Sequence, residues 1–236
     1  MTPGVPPRQS LPLIELDPDI GTPAALPDRV YATLKHRILT CSILPGTRIV
    51  EKELCAEMKL SRTPLREALN RLALEGLVDV TPFRGYSAAA LTLEGFRELC
   101  EVRRILEAEA AAISAERATT RQLNGLESLA QLRYSREDRR TYERYLRSNS
   151  AFHQALAQCT GNRRLEGIVM WALDQHQRPL YLGLGVGVDD KAATEEHLRV
   201  VEAIRARDPN EARRVVTDHI KQGEERITTA LKAAGY

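Results

Sequence analysis

Apolar residues recur at helical spacing along most of this chain. Val30, Leu34, Ile38 and Leu39 form one stripe, and an ordered helix is expected from about Asp28. Pro45-Gly46 marks a turn. A short helix follows from Glu51 to Met58, with Leu54 and Cys55 inward. After the break at Lys59-Leu60-Ser61 comes a helix to about Glu75, where Ser61 or Thr63 can cap and Pro64 fits the first turn. Gly76 is the expected stop. The period then switches to two short β-prone runs, Leu77–Val80 and Tyr86–Ala88, around the turn-rich Thr81-Pro82-Phe83-Arg84-Gly85. Helix, helix, turn, helix, two-stranded wing is the order of a winged helix-turn-helix.

Beyond Thr92 the pattern is helical to the end. Thr119 with Gln122 forms a capping-box pattern. A long helix is expected over about Arg136–Gln158, and the next runs from the Gly161-Asn162 break to about Arg178. Gly183 to Asp190 reads as a loop, and Lys191–Arg205 as a helix. Asp208-Pro209-Asn210-Glu211 starts the last helix, with Asp as N-cap and Pro at the first helical position. The fold class is therefore mostly α: an N-terminal winged helix-turn-helix over 27–90 and an all-α antiparallel bundle over 91–236. Residues 1–26 carry six prolines without a sustained apolar period and are expected to be a disordered arm.

Charge changes this picture little. The net charge of +2 announces no nucleic-acid binder, so a basic surface must be argued from position. The helix from Arg62 supplies one. Leu65, Ala68, Leu69 and Leu72 share a face, while Arg62, Arg66 and Asn70 recur at four-residue spacing on another. A major-groove helix needs that split, with one side held by its domain and the other free for base edges and phosphates. Spacing alone is equally compatible with a solvated charged face.

The four cysteines are far apart, with no C-x-x-C pair, so buried reduced thiols are expected. No apolar run approaches a membrane span, no secretory h-region opens the chain, and a cytoplasmic location is expected.

The run Ser61-Arg62-Thr63-Pro64-Leu65-Arg66-Glu67-Ala68-Leu69, with Leu44-Pro45-Gly46, Glu51-Lys52-Glu53-Leu54, Glu75-Gly76-Leu77 and Arg84-Gly85, resembles the GntR family of bacterial regulators. The resemblance implies operator DNA as partner. It implies contacts from Arg62, Thr63 and Arg66 on the recognition helix and from Arg84 and Gly85 at the wing. Lys52 falls where many members carry a DNA-contacting Arg, but lacks the bidentate fork.

Three of the five histidines, His153, His197 and His219, lie on separate predicted helices, and Asn149 shares a face with His153. Converging neutral imidazoles plus an oxygen ligand can hold a divalent transition metal; equally, such histidines cap or pack. The stretches around Asn149–Asn162 and Glu195–Ile220 resemble the FCD effector domain of GntR regulators, and this resemblance covers about 95–232. It implies that Asn149, His153, His197 and His219 are metal ligands, with Asn replacing Asp and removing one negative charge. Zinc or nickel suits imidazole better than magnesium does.

Arg103 lies in an apolar stripe with Leu99, Leu106 and Ala110, so it either snorkels or meets a buried anion. The resemblance puts it at the ligand cavity, where a small carboxylate effector would suit it. His176 falls outside the ligand pattern and reads as structural. The functional expectation is a ligand-responsive regulator, a homodimeric repressor whose domains are linked through Ala88–Glu94, and not an enzyme. A metallohydrolase is disfavoured because no H-E-x-x-H occurs, and a chromosome-coating protein because the net charge is small.

Overall fold

A computed structural model describes residues 26–131, 134, 135, 138, 140–187 and 190–236; the expected arm, residues 1–25, lies outside them. Among the described residues the first half is α1 (Leu26–Leu39), β1 (Arg48–Ile49), α2 (Glu51–Met58), α3 (Arg62–Leu74), β2 (Val78–Thr81) and β3 (Gly85–Ala88). The second half is α4 (Leu93–Arg117), α5 (Thr120–Ala130), α6 (Arg140–Cys159), α7 (Arg163–Val186), α8 (Asp190–Arg205) and α9 (Pro209–Ala233).

The N-terminal core is the stripe read from the sequence. Val30, Leu34 and Ile38 of α1 meet Leu65, Leu69 and Leu72 of α3, closed by Leu77. Burying such side chains contributes about 1.5–3 kcal/mol each. The sheet is antiparallel in the order β1-β3-β2, with Ile49 opposite Tyr86 and Val80 opposite Tyr86 on its other side. Ser61 stands at the N-cap of α3, but its hydroxyl makes no capping bond. Gly76, at φ +77, turns the chain out of the helix.

Caps set the helix starts in the second half. Thr92 accepts from Gly95 N–H at 3.0 Å, and Thr119 and Gln122 form the reciprocal box. Asn162 and Asp208 each accept from two backbone amides. Each cap contributes about 1 kcal/mol. α4 lies along α9, both pack with α7 and α8, and α4 also packs with α6, around Phe96, Phe152, Leu156, Leu180 and Ile220.

One expectation fails. Gly183–Val186 is not a loop; α7 continues through Pro179, Gly183 and Gly185 to Val186, and the chain leaves the helix at Gly187, φ +93. Pro179, Leu180, Gly183 and Leu184 are all buried, so packing outweighs the missing proline N–H and the poor helix propensity of glycine.

Candidate metal centre and nucleic-acid interface

The bundle brings His153 of α6, His197 of α8 and His219 of α9 together as a buried cluster, with one ring nitrogen from each within 4.8 Å of the others. Nε2 of His219 lies 3.2 Å from Nε2 of His197 and 3.4 Å from Nε2 of His153. Imidazoles bound tetrahedrally at about 2.1 Å would hold their nitrogens about 3.4 Å apart.

The outer edges of two rings meet carboxylates. His219 Nδ1 is hydrogen-bonded to Glu196 Oε2 at 2.7 Å. His153 Nδ1 lies 2.6 Å from Glu107 Oε2, in close polar contact though off the ideal hydrogen-bond direction. A carboxylate behind Nδ1 keeps the proton there and leaves the lone pair of a neutral ring on Nε2. Burial pushes His153 down to about 4, although Glu107 opposes it, and burial likewise lowers His197. With both rings neutral and protonated on Nδ1, the Nε2 lone pairs of His153 and His219 face each other in a buried site, which repels unless a cation lies between. His197 stacks on Phe152 with centroids 4.0 Å apart, and its buried Nδ1 has no hydrogen-bond partner among the described residues. The donor set fits a borderline divalent metal.

Each carboxylate is in turn held by an arginine. Arg103 Nε donates to Glu107 Oε1 at 2.6 Å, one helical turn along α4, and both side chains are buried. Arg226 grips Glu196 in bidentate fashion at 2.6 and 2.8 Å. Burial pushes the Glu196 carboxyl up, but His219 and Arg226 outweigh it and hold it at about 2. Glu107 is lowered in the same way, its burial outweighed by Arg103 and His153. Of the two states open to Arg103 in the sequence, the pair with a buried anion is the one formed, and the anion is the chain's own.

A cavity of about 30 Å³ opens beside the histidines, lined by Arg103, Asn149, His153, His176, His219 and Arg226 among others. It has room for about two waters. Three participants were not singled out in the sequence: Glu107, Glu196 and Arg226; His176, read there as structural, stays outside the histidine cluster and lines the cavity. Arg103 and Glu107 at i, i+4 are the one available signal, and that spacing is common on exposed helix faces.

The second candidate surface lies on α2, α3 and the wing. Lys52, Arg62, Thr63, Arg66 and Arg84 are exposed, and Gly85 sits at φ +85 at the start of β3. Arg66 Nε donates to Glu51 Oε2 at 2.6 Å, and its Nη2 to Oε1 at 3.2 Å, tying α3 to α2. The Tyr86 hydroxyl donates to Asn70 Oδ1 at 2.9 Å, fastening β3 to α3. These bonds hold helix and wing as one surface.

The two halves meet at the C-terminal end of α3. The Glu75 carbonyl accepts from Gln175 Nε2 at 2.7 Å and from Trp171 Nε1 at 3.2 Å, both on α7. Lys35 bridges Glu75 and Asp174 at 2.9 and 2.6 Å. The buried Arg178 donates to the Ala89 carbonyl at 2.5 Å, so the segment expected to link the domains is itself held by α7.

Known proteins agree with this architecture. A family model described as bacterial regulatory proteins, gntR family, matches residues 26–87, and one described as FCD domain matches residues 98–222, more than half of the chain. The Nta operon transcriptional regulator of Aminobacter aminovorans is 29% identical over 190 residues, 80% of this chain and 89% of that protein. The HTH-type transcriptional repressor RspR of Escherichia coli (strain K12) is 27% identical over 200 residues, 84% of this chain and 87% of its own. The fold of E. coli McbR/YncC superposes with a TM-score of 0.69 at 21% identity, covering 87% of this chain and 98% of that one. No helix among the described residues is long and apolar enough to cross a membrane. The chain belongs to the GntR family of bacterial DNA-binding transcriptional regulators, in the group that carries an FCD domain.

Proposed function

We propose that this regulator is a cytoplasmic, homodimeric repressor that senses a small carboxylate through a divalent metal, zinc or nickel, held by His153, His197, His219 and Asn149. The observation that carries the metal is the convergence of three ring nitrogens within 4.8 Å, with His219 Nε2 at 3.2 Å from that of His197 and 3.4 Å from that of His153, and carboxylates behind His153 and His219. A divalent ion there supplies positive charge and open coordination positions to an acidic ligand. The chain's own residues do the rest. Glu107 and Glu196 orient the rings, Arg103 and Arg226 neutralise those carboxylates, and Asn149 adds a neutral oxygen from the cavity wall.

With each Arg–Glu pair self-neutral and the ligand set uncharged, the ion's charge is uncompensated by the protein. An anion entering the cavity gains accordingly. The cavity of about 30 Å³ must widen to admit it, and Gly223 in its wall leaves space, since a Cβ there would meet only Arg226 Nη2 at 3.9 Å. Both carboxylates behind the histidines are engaged on an arginine, which supports a sensing role rather than base catalysis. Recognition by single helices reading a few base pairs favours a dimer on a two-half operator. The relative RspR is named a repressor, which supports that direction of control.

Elemental analysis of untagged protein tests the metal. About one zinc or nickel per chain is expected in wild type and a large loss in His197→Ala. Equal metal in the two proteins would reject the assignment.

A further inference from the structure

The wing ends in a turn whose chemistry is wrong for folding. Arg84 N–H donates to the Thr81 carbonyl at 3.0 Å, so Thr81-Pro82-Phe83-Arg84 is a four-residue β-turn. Pro82 holds the second position, and the third, Phe83, sits at φ +61. A turn with proline second and positive φ third asks for glycine or asparagine there, because a Cβ is strained in that conformation. The chain instead places a bulky aromatic residue. Packing does not explain it either: Phe83 is 109% exposed, as open as in an isolated peptide. A residue that opposes its own turn and contributes nothing to the core points to a partner outside the chain.

The position identifies that partner. Phe83 lies at the tip between β2 and β3, next to the exposed Arg84. The Tyr86–Asn70 bond fastens β3 to the same face of α3 that carries Arg66, so the tip belongs to the DNA-facing surface. With α3 in the major groove, the wing reaches along the duplex to the neighbouring minor groove. That groove is about 6 Å wide, so it admits a side chain but not a helix. Apolar side chains seat there against sugars and between base steps, while an adjacent arginine is drawn to the phosphates.

We propose that Phe83 is a DNA-contacting residue whose ring enters the minor groove flanking the site read by α3. The assignment rests on α3 as the major-groove reader and adds a contact that sequence motifs do not mark. Arg84 supplies charge and positioning; Phe83 supplies apolar contact and sensitivity to how easily the step beneath it opens.

The test uses the full-length chain and a duplex selected by the wild-type protein from a random-sequence pool. Phe83→Gly and Phe83→Asn both suit the turn, so melting temperature should stay level or rise. Affinity for the selected duplex should fall about tenfold, in the range of an aromatic–base contact. Hydroxyl-radical footprints should lose protection at minor-groove sugars beside the site, while protection of guanine N7 in the major groove persists. Either variant binding within twofold of wild type, or keeping the minor-groove footprint, would overturn the proposal. So would a variant that changes only the sedimentation of the free protein, since the ring would then serve a protein contact. Wild type lacking major-groove protection would overturn α3 as reader, and the proposal with it.

Discussion

The charges of the N-terminal half and those of the helical bundle obey opposite rules. On α3, Arg62 and Arg66 stand in solvent, and Arg66 pairs with Glu51 across a surface open to water. In the bundle, Arg103, Glu107, His153, His197, Glu196 and His219 are all buried, and the charged members are matched, Arg103 with Glu107 and Glu196 with the half-buried Arg226. Exposed ion pairs contribute little and exchange readily, so Arg66 can leave Glu51 for a base edge or phosphate at small cost. Buried pairs cannot exchange cheaply, because either partner left alone in the interior costs several kcal/mol. The proposed DNA surface is thus built for replaceable contacts, and the bundle for a fixed charge arrangement, which in the proposed function one added cation and one added anion complete.

The sharpest way to break this contrast is to unbalance the bundle. Glu107→Ala strands Arg103 and removes the carboxylate behind His153, and should destabilise the chain by about 3–5 kcal/mol in urea denaturation. The double variant Arg103→Met, Glu107→Leu should recover most of that loss while binding metal poorly. A mild effect of Glu107→Ala would mean that water already reaches the pair.

Acid should act on the same network. The His153 pKa is depressed to about 4, so the metal-free fold keeps that contribution above the unfolded value near 6.5 and loses it as pH falls through 4. The loss is on the order of 3 kcal/mol. Glu196, also depressed, to about 2, adds its own loss over the interval from 4.5 downward. Metal-free protein should therefore weaken steadily on acidification from about pH 6.5, and a flat stability profile between pH 6.5 and 4 would contradict a buried neutral His153.

The sequence showed the first half of the molecule better than the second. α2 begins and ends where its apolar positions and flanking breaks put it, and the Thr119–Gln122 box and the Asp208 cap formed as read, because these are local signals. β1 was invisible: two residues, Arg48 and Ile49, become a strand only by pairing with Ser87 and Tyr86, far along the chain. α7 was cut short at Pro179 because proline and glycine outweigh a buried Leu180 and Leu184 until the neighbouring helices are known. The three histidines could be named from a resemblance, but the Glu107 and Glu196 that orient them look in sequence like any helical acid. Only packing turns them inward.

On the exposed side, Arg66→Ala should weaken binding to a selected operator duplex about ten- to hundredfold with the fold intact, as a lost bidentate base contact would. Glu51→Gln, which frees Arg66 from its clamp, should change affinity much less. Equal losses in the two variants would mean that the clamp, rather than the free guanidinium, matters.

The smallest expected effect concerns the joint between the halves. α7 carries His176 in the cavity wall and, one residue earlier, Gln175 on the Glu75 carbonyl. Gln175→Ala should cost about 1 kcal/mol of stability or less, yet should reduce the response of DNA binding to an effector. A full response in that variant would place the coupling elsewhere, with the Arg178–Ala89 contact the next place to look.

The central claim is that a metal-completed anion site in the bundle controls the DNA surface. Its most direct test is operator affinity titrated with a panel of small carboxylates, using metal-loaded wild type, metal-stripped wild type and His153→Ala. An active acid should change the affinity of the loaded protein by about 5- to 150-fold and leave the other two nearly unchanged. An acid that acts equally on all three would contradict the claim.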